Sequence, residues 1–246
     1  MHSQLVCRPE QDLPIGVLTV SGTLDLLTAG ALEQAVRNSL SVEPRVLLID
    51  IAGLVVADPR ALDALGEVVC QTAEWPAVPI VLCGPGQETA RAVAAWPACA
   101  AVTVAQSCER ALADAAAAPE PPRIRVRLRP VPDACRQVRQ LVTQACATWH
   151  RSELSATAAL VATELVANVV RHAHTTMDFT LGLRDGRMSL AVRDGSRRLP
   201  RLAEAKLTDA GGRGLRLVRE LTDSWGVLPI SDGKVVWTRI GTGASM

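Results

Sequence analysis

The sequence predicts an α/β protein of two domains, and three observations support this. In the first half, short apolar runs alternate with helix-length segments, as expected for helices packed on a sheet. Near the middle, ADAAAAPEPPR (113–123) places three prolines after an alanine-rich helix end, which favours an extended spacer. The second half has its own succession of strands and long helices. We therefore expect domains at 1–116 and 123–246, joined by a linker at 117–122.

The first half contains four apolar runs of strand length, separated by segments with helical periodicity. The alternation predicts a small α/β domain in which helices cover a sheet. The predicted strands are 15–22, 45–51, 79–84 and 101–104, and the predicted helices are 28–41, 60–73, 87–95 and 106–117.

The second half begins with RIRVRLRP (123–130), in which arginine alternates with Ile, Val and Leu. A nucleic-acid patch is one interpretation, but the period of two favours an edge strand with its arginines on one face. Asp185-Gly186 is a strong turn signal inside a hairpin at 178–194. The other predicted elements are helices at 133–149, 153–173 and 213–223 and a last pair of strands that ends in KVVWTRI (234–240).

The amino-acid composition and net charge argue against several classes of partner and binding site. The chain is 48% hydrophobic with a formal net charge of +1, so bulk charge indicates neither a nucleic-acid nor a membrane partner. Its lysines are Lys206 and Lys234 alone, and nearly all positive charge is arginine, a bias typical of a high-GC bacterium. The seven cysteines show no zinc spacing, and no signal peptide or 18-residue apolar span is evident. We expect free cysteines in a soluble, cytoplasmic protein.

A polar edge interrupts the most apolar helix. In LVATELVANVVRHAH (160–174), Glu164, Asn168 and His172 recur every four residues, which stacks them along one helix edge. Asn168 can give a neutral oxygen to Mg²⁺, which leaves Glu164 free as a base. A histidine one turn further more often packs and hydrogen-bonds than reacts, and we expect this of His172.

Two further segments suit the same ligand. Asp194, in VRDGS, is predicted to be an exposed strand-end carboxylate that could accept the exocyclic amino group of adenine. GGRGL (211–215) is a flexible turn that leads into a helix, whose N-terminus favours phosphate. Each signal alone is weak, because a lone Asp at a strand end is usually a cap and a glycine cluster is usually a turn.

Together and in this order, TELVANVVRHA, VRDGSRRLP and GGRGLRLVRELTDSWGV resemble the asparagine, adenine and second glycine boxes of the GHKL (Bergerat) ATP-binding α/β sandwich. The resemblance covers about residues 120–240 and is closest to the anti-sigma-factor serine kinases. It implies ATP and Mg²⁺ as cofactors, with Asn168 as the Mg²⁺ ligand, Asp194 as the adenine reader and Glu164 as the residue that orients or deprotonates an acceptor hydroxyl. The residues implied to border the phosphates are Gly211, Gly212, Arg213 and Gly214.

The first half, from about residue 10 to 115, resembles the STAS domain of anti-sigma-factor antagonists. VLTVSGTLDLLTAGALEQAV and LLIDIAGLVVADPRALDALGEVV carry the resemblance. Antagonists of this kind have Asp-Ser-Ser-Gly-Leu before the second helix, and one serine is phosphorylated. Here that loop reads Asp58-Pro59-Arg60-Ala61-Leu62, and no Ser or Thr lies between Ser41 and Thr72. Asp58 is a good N-cap and Pro59 a good first helical residue, so the loop keeps its helix start without an acceptor.

The two resemblances imply a bacterial regulator of transcription that acts by sigma-factor partner switching. The expected activity is ATP-dependent serine/threonine phosphorylation of a separate STAS antagonist, and the alternative is a non-catalytic, nucleotide-dependent binding module. Expected partners are a sigma factor, a STAS-domain antagonist or a second copy of the chain. Neither nucleic acid nor membrane is expected as a partner. A sensor histidine kinase is disfavoured, because no paired helices with an acceptor histidine precede the ATP-binding segment.

Overall fold

The structure is a computed structural model that describes residues 4–10, 14–100, 102–200 and 213–241. The chain divides into two compact units, residues 1–120 and 121–246, which we call the first and second domains. Both are mixtures of helix and strand, as the sequence predicts.

The first domain is built on a five-stranded sheet of order β1-β2-β3-β4-β5. β1 pairs antiparallel with β2, whereas the other neighbours are parallel. The strands are β1 (Leu5–Glu10), β2 (Ile15–Leu24), β3 (Val46–Val56), β4 (Ile80–Cys83) and β5 (Thr103–Ala105). The helices are α1 (Ala29–Leu40), α2 (Asp63–Gln71), α3 (Gln87–Ala95) and α4 (Cys108–Ala117). β1 was not predicted from the sequence.

Both faces of this sheet are covered, which explains why the first four residues of β3, Val46–Ile49, are all apolar. Leu47 and Ile49 face α1, α2 and α3 in the larger core, whereas Val46 and Leu48 face α4 in a smaller one. A strand buried on both faces has no polar side to alternate with, as is usual for parallel sheets under helices.

The expectation that all cysteines are free is wrong for two of them. Cys83, the last residue of β4, forms a disulfide with Cys108, the first residue of α4. Their Cα atoms lie 5.0 Å apart, although 25 positions separate them in sequence. The fold creates this proximity by packing α4 against the strand end, and nothing in the cysteine spacing indicates it.

The second domain is built on an antiparallel sheet of order β6-β7-β8-β10-β9 with helices on one face. The strands are β6 (Arg123–Leu128), β7 (Met177–Arg184), β8 (Arg187–Asp194), β9 (Ser224–Ile230) and β10 (Gly233–Ile240). The helices are α5 (Asp133–Thr148), α6 (Ser155–Asn168) and α7 (Arg213–Leu221). One apolar core joins α5, α6 and α7 to the strands.

Two local predictions in this domain are confirmed. The β7–β8 hairpin turns at Asp185 and Gly186, whose φ angles of 51° and 74° are those of a type I′ turn. β6 is an edge strand on which Arg125 and Arg127 are exposed while Leu128 is buried. Charged side chains on an edge discourage pairing with other chains.

One helical stretch among the described residues, Ser152–Ala173, is long and apolar enough to cross a membrane by length and composition. The expectation that no such span exists is therefore wrong. Half of its most apolar window is buried inside the protein, and Val161, Leu165 and Val166 belong to the core of the second domain.

Candidate functional site

The polar edge of α6 ends in two side chains that have no partner in the described part of the chain. Glu164 and Asn168 are both half-buried, and no hydrogen bond or ion pair reaches either side chain from the described residues. Withdrawing a carboxylate and an amide from water costs free energy unless something pairs with them. The arrangement therefore leaves the oxygen atoms of two side chains, one helical turn apart, available to a ligand.

Directly after Asn168, the helix widens into a single π-turn, Val169–Ala173. The turn closes at His174, whose φ is 54° and whose backbone N–H donates to the Val169 carbonyl at 2.9 Å. Single π-turns inside helices are frequent at functional sites. His172 lies in this turn and is exposed, contrary to the prediction that it packs.

The start of α7 lies against Glu164. A Cβ atom added at Gly214 would overlap the Glu164 Oε2 atom, so glycine permits this approach. The free N–H groups of a helix's first turn favour anions such as phosphate. The structure thus brings Gly214 to the predicted base. Arg213 begins α7 but its side chain is not described, and Gly211 and Gly212 lie outside the described residues.

Asp194 ends β8, and the prediction that it is exposed is wrong. Its relative exposure is 3%, because β10 places Lys234 directly opposite it in the antiparallel ladder. The Lys234 ammonium donates to Asp194 Oδ1 at 2.8 Å and to the Ser196 carbonyl at 3.0 Å. The Ser196 N–H also donates to Asp194 Oδ1, at 2.7 Å.

Sequence reasoning did not select Lys234 as a site residue. The available signal was a lysine directly before the apolar run Val235–Trp237, in a chain with only one other lysine, Lys206. A charge in such a strand needs a partner, but the sequence does not say which one.

The end of β8 is tied to the segment that follows the π-turn. The Gly195 N–H donates to Thr175 Oγ1 at 3.1 Å, and Asp194 pairs with Met177 across the β7–β8 ladder. Asp194 therefore lies at the same end of the second domain as the C-terminus of α6. In the structure, Glu164 thus lies close to Gly214, and Asp194 lies close to the segment that follows α6.

Cys135 on α5 lies near several charged side chains, and Glu164 is one of them. Burial raises the pKa of the Cys135 thiol, the nearby Glu164 carboxylate raises it further, and Arg171 and Arg139 oppose the shift.

The oxygens of this edge fit Mg²⁺. The ion prefers oxygen ligands and usually keeps waters and substrate phosphates around one or two protein groups. The described residues contain no cluster of three His, Cys, Asp or Glu side chains that could hold a metal ion. An ion at this edge would therefore need oxygen ligands besides Asn168, such as water or a bound phosphate.

In the first domain, the loop at the position of the phosphoacceptor segment forms hydrogen bonds among its own residues. Asp58 caps the 3₁₀ turn Pro59–Leu62 by accepting from the Arg60 N–H at 3.0 Å, which confirms the predicted helix start. The Arg60 guanidinium donates to the same carboxylate at 2.7 Å. This hydrogen bond is the largest cause that lowers the pKa of Asp58 below its ordinary value.

Comparison with known families identifies both domains. A STAS domain model matches residues 8–115, and a histidine kinase-like ATPase domain model matches residues 128–240. The chain joins a STAS domain to a histidine kinase-like ATPase domain. No curated protein matches it significantly.

Two solved structures illustrate the likeness. An anti-sigma factor antagonist from Mycobacterium paratuberculosis is 22% identical, with a TM-score of 0.39, over 46% of this chain and 95% of that one. The RsbU and RsbW domains of a Mycobacterium tuberculosis protein are 20% identical, with a TM-score of 0.38, over 50% of this chain. The match spans 33% of that second protein.

Proposed function

We propose that the protein regulates transcription by sigma-factor partner switching, with its ATPase domain acting as a serine/threonine kinase on a separate STAS antagonist. The observation that carries the proposal is that Glu164 and Asn168, one helical turn apart on α6, have no side-chain partner among the described residues, and that Glu164 lies against Gly214 at the start of α7. Proposed partners are the antagonist and the sigma factor, and the proposed location is the cytoplasm, where both would act.

Each binding role follows from a position. The Asn168 amide oxygen would hold Mg²⁺, and Gly214 with the first N–H groups of α7 would border the phosphates. Gly211, Gly212 and Arg213 are proposed to extend that phosphate border. The Asp194 carboxylate would accept the amino group of adenine.

The chemistry proposed for Glu164 is general-base assistance. Its carboxylate would orient the acceptor hydroxyl and take its proton as the γ-phosphoryl group leaves ADP for the hydroxyl oxygen. Mg²⁺ supplies charge neutralisation on the phosphates when it is bound. A half-buried carboxylate with no partner in the described residues is free to act in this way.

The STAS domain is proposed to be a regulatory or dimerisation module and not a substrate. The serine positions of its loop hold Pro59 and Arg60, and Arg60 is committed to Asp58. A tethered domain is present at an effective concentration of about a millimolar, so a weak contact could persist without a phosphorylation step to release it.

Calorimetry with ATP and Mg²⁺ tests nucleotide binding in the full chain. Asn168→Ala removes the oxygen proposed for Mg²⁺, and we expect Mg²⁺-dependent affinity for ATP to fall several-fold or more. Gln140→Ala, an exposed amide on α5, is the matched control and should bind like the wild type. Unchanged affinity in the Asn168 variant would contradict the assignment of Asn168 to the Mg²⁺ site.

The missing acceptor in the first domain favours a second candidate, a nucleotide-dependent binding module without catalysis. Such a module would need Asn168 and Asp194 but not Glu164. Incubation with labelled ATP and a serine-bearing antagonist separates the two, because the module would bind ATP without transferring phosphate.

A further inference from the structure

The buried ion pair between Lys234 and Asp194 stands apart from the other ion pairs of the described residues. Its two side chains are 8% and 1% exposed, whereas seven arginine–carboxylate pairs of the described residues each have at least one side chain more than a fifth exposed. Burying two charges is costly and adds little net stability. The pair therefore calls for an explanation other than stability.

The pair also divides the Asp194 carboxylate into two unlike oxygens. Oδ1 accepts from the Lys234 ammonium and from the Ser196 N–H, whereas no hydrogen bond reaches Oδ2 from the described residues. Rotating the carboxylate would break both bonds to Oδ1. The geometry thus holds one oxygen in place and leaves a single acceptor atom.

A carboxylate with both oxygens free can accept the neighbouring ring N–H and amino donors of guanine side by side, whereas a single held acceptor cannot take both. Adenine carries an amino donor at the position where guanine carries a carbonyl acceptor. An amino group can donate to Oδ2, whereas a carbonyl there would face a carboxylate oxygen with no proton between them. Recognition that leaves a buried polar group unpaired discriminates strongly between ligands.

We propose that Lys234 is a positioning residue for nucleobase selection: by occupying Oδ1 of Asp194, it fixes Oδ2 as the only acceptor and so favours ATP over GTP. The inference rests on the proposed nucleotide binding by the second domain. The bond from Lys234 to the Ser196 carbonyl has a second consequence, because it fixes the loop that leaves β8.

The test compares ATP and GTP affinities in the full chain with Mg²⁺, for the wild type, Lys234→Arg and Lys234→Met. Arginine keeps the positive charge but can donate to both carboxylate oxygens at once, so that Oδ2 would no longer be available to the nucleobase. Met removes the charge and frees the carboxylate to rotate. We expect the ATP-to-GTP affinity ratio to fall at least tenfold in both variants. If the Lys234→Met variant does not fold, the Lys234→Arg variant alone still tests the inference.

Arg193→Met is the matched control. Arg193 precedes Asp194 on β8 and forms an ion pair with the exposed Asp232 at 2.8 Å, so its loss removes a neighbouring pair and should leave the ratio unchanged. A lower melting temperature in Lys234→Met with an unchanged ratio in both Lys234 variants would show a merely structural pair and overturn the inference.

Wild-type selectivity separates this inference from the function on which it rests. Wild-type protein that binds ATP and GTP equally would overturn the role of Lys234 and leave the proposed function standing. Wild-type protein that binds neither nucleotide would overturn both.

Discussion

Asp58 in the first domain and Glu164 in the second are both carboxylates beside the first turn of a helix, but their surroundings differ. Asp58 accepts hydrogen bonds from the backbone and the guanidinium of Arg60, two positions along the chain. Glu164 meets the backbone of Gly214 on another helix, and no described residue donates to it.

The difference lies in whether the polar groups of each domain already have hydrogen-bond partners. The Asp58 loop satisfies its polar groups locally and offers no hydroxyl, so it is complete without a ligand. The end of α6 leaves two half-buried polar groups without a partner among the described residues, which is unfavourable unless a ligand supplies the missing partners. From this comparison we propose that ligand binding belongs to the second domain.

The largest effect is expected from Glu164→Gln, which keeps the size of the side chain and removes its basicity. Phosphate transfer to a serine-bearing antagonist should fall about 10²- to 10⁴-fold, the usual contribution of a general base, while ATP still binds. Transfer is measured with labelled ATP and binding by calorimetry. Glu153→Gln, an exposed carboxylate before α6, is the control. Loss of binding together with transfer would indicate a structural role for Glu164.

A smaller effect is expected from Gly214→Ala. The new Cβ would push the flexible Glu164 carboxylate aside, so transfer should fall several-fold while the melting temperature holds, since alanine favours helix. Gly30→Ala is the matched control, because Gly30 is also the second residue of its helix and has open space around its Cα. Equal transfer by the Gly214 variant and the wild type would contradict the contact between α6 and α7.

The smallest effect is expected from Asp58→Asn, which keeps an N-cap and loses the ion pair with Arg60. The melting temperature at neutral pH should fall by no more than about 2 °C, since exposed ion pairs contribute little. Because the folded-state pKa of Asp58 is lowered, its contribution is complete at neutral pH and disappears as pH falls through that pKa. Thermal unfolding followed from neutral pH into acid should show the two proteins converge. A gap that persists in acid would mean that the Asp58 charge is not its source.

Much of the fold follows from local signals. α3 occupies the predicted residues 87–95, and the Asp185-Gly186 turn lies where the dipeptide indicates. β3 extends to Val56, beyond its predicted end at residue 51, because β2 continues to pair with it as far as Leu24. β1 was missed because LVCRPE follows its three apolar residues with two charges and a proline, and its pairing with β2 alone defines it as a strand.

The site residues missed or misjudged from the sequence depend on contacts between distant positions. Lys234 and Asp194 are 40 residues apart, and only the β8–β10 register brings them together. His172 lies in a π-turn and is exposed, and no propensity in VVRHA indicates that turn. Sequence periodicity therefore selects the helix edge that carries Glu164 and Asn168, whereas the partners across the sheet require the fold.

Phosphopeptide mass spectrometry tests most directly the claim that the second domain transfers phosphate and the first does not receive it. The full chain is incubated with ATP, Mg²⁺ and a separate STAS domain that carries serine in its Asp-Ser-Ser-Gly-Leu loop. We expect phosphate on that serine and none in residues 1–115 of this chain. Phosphate within residues 1–115 of the wild-type protein, or none on the separate domain, would contradict the claim.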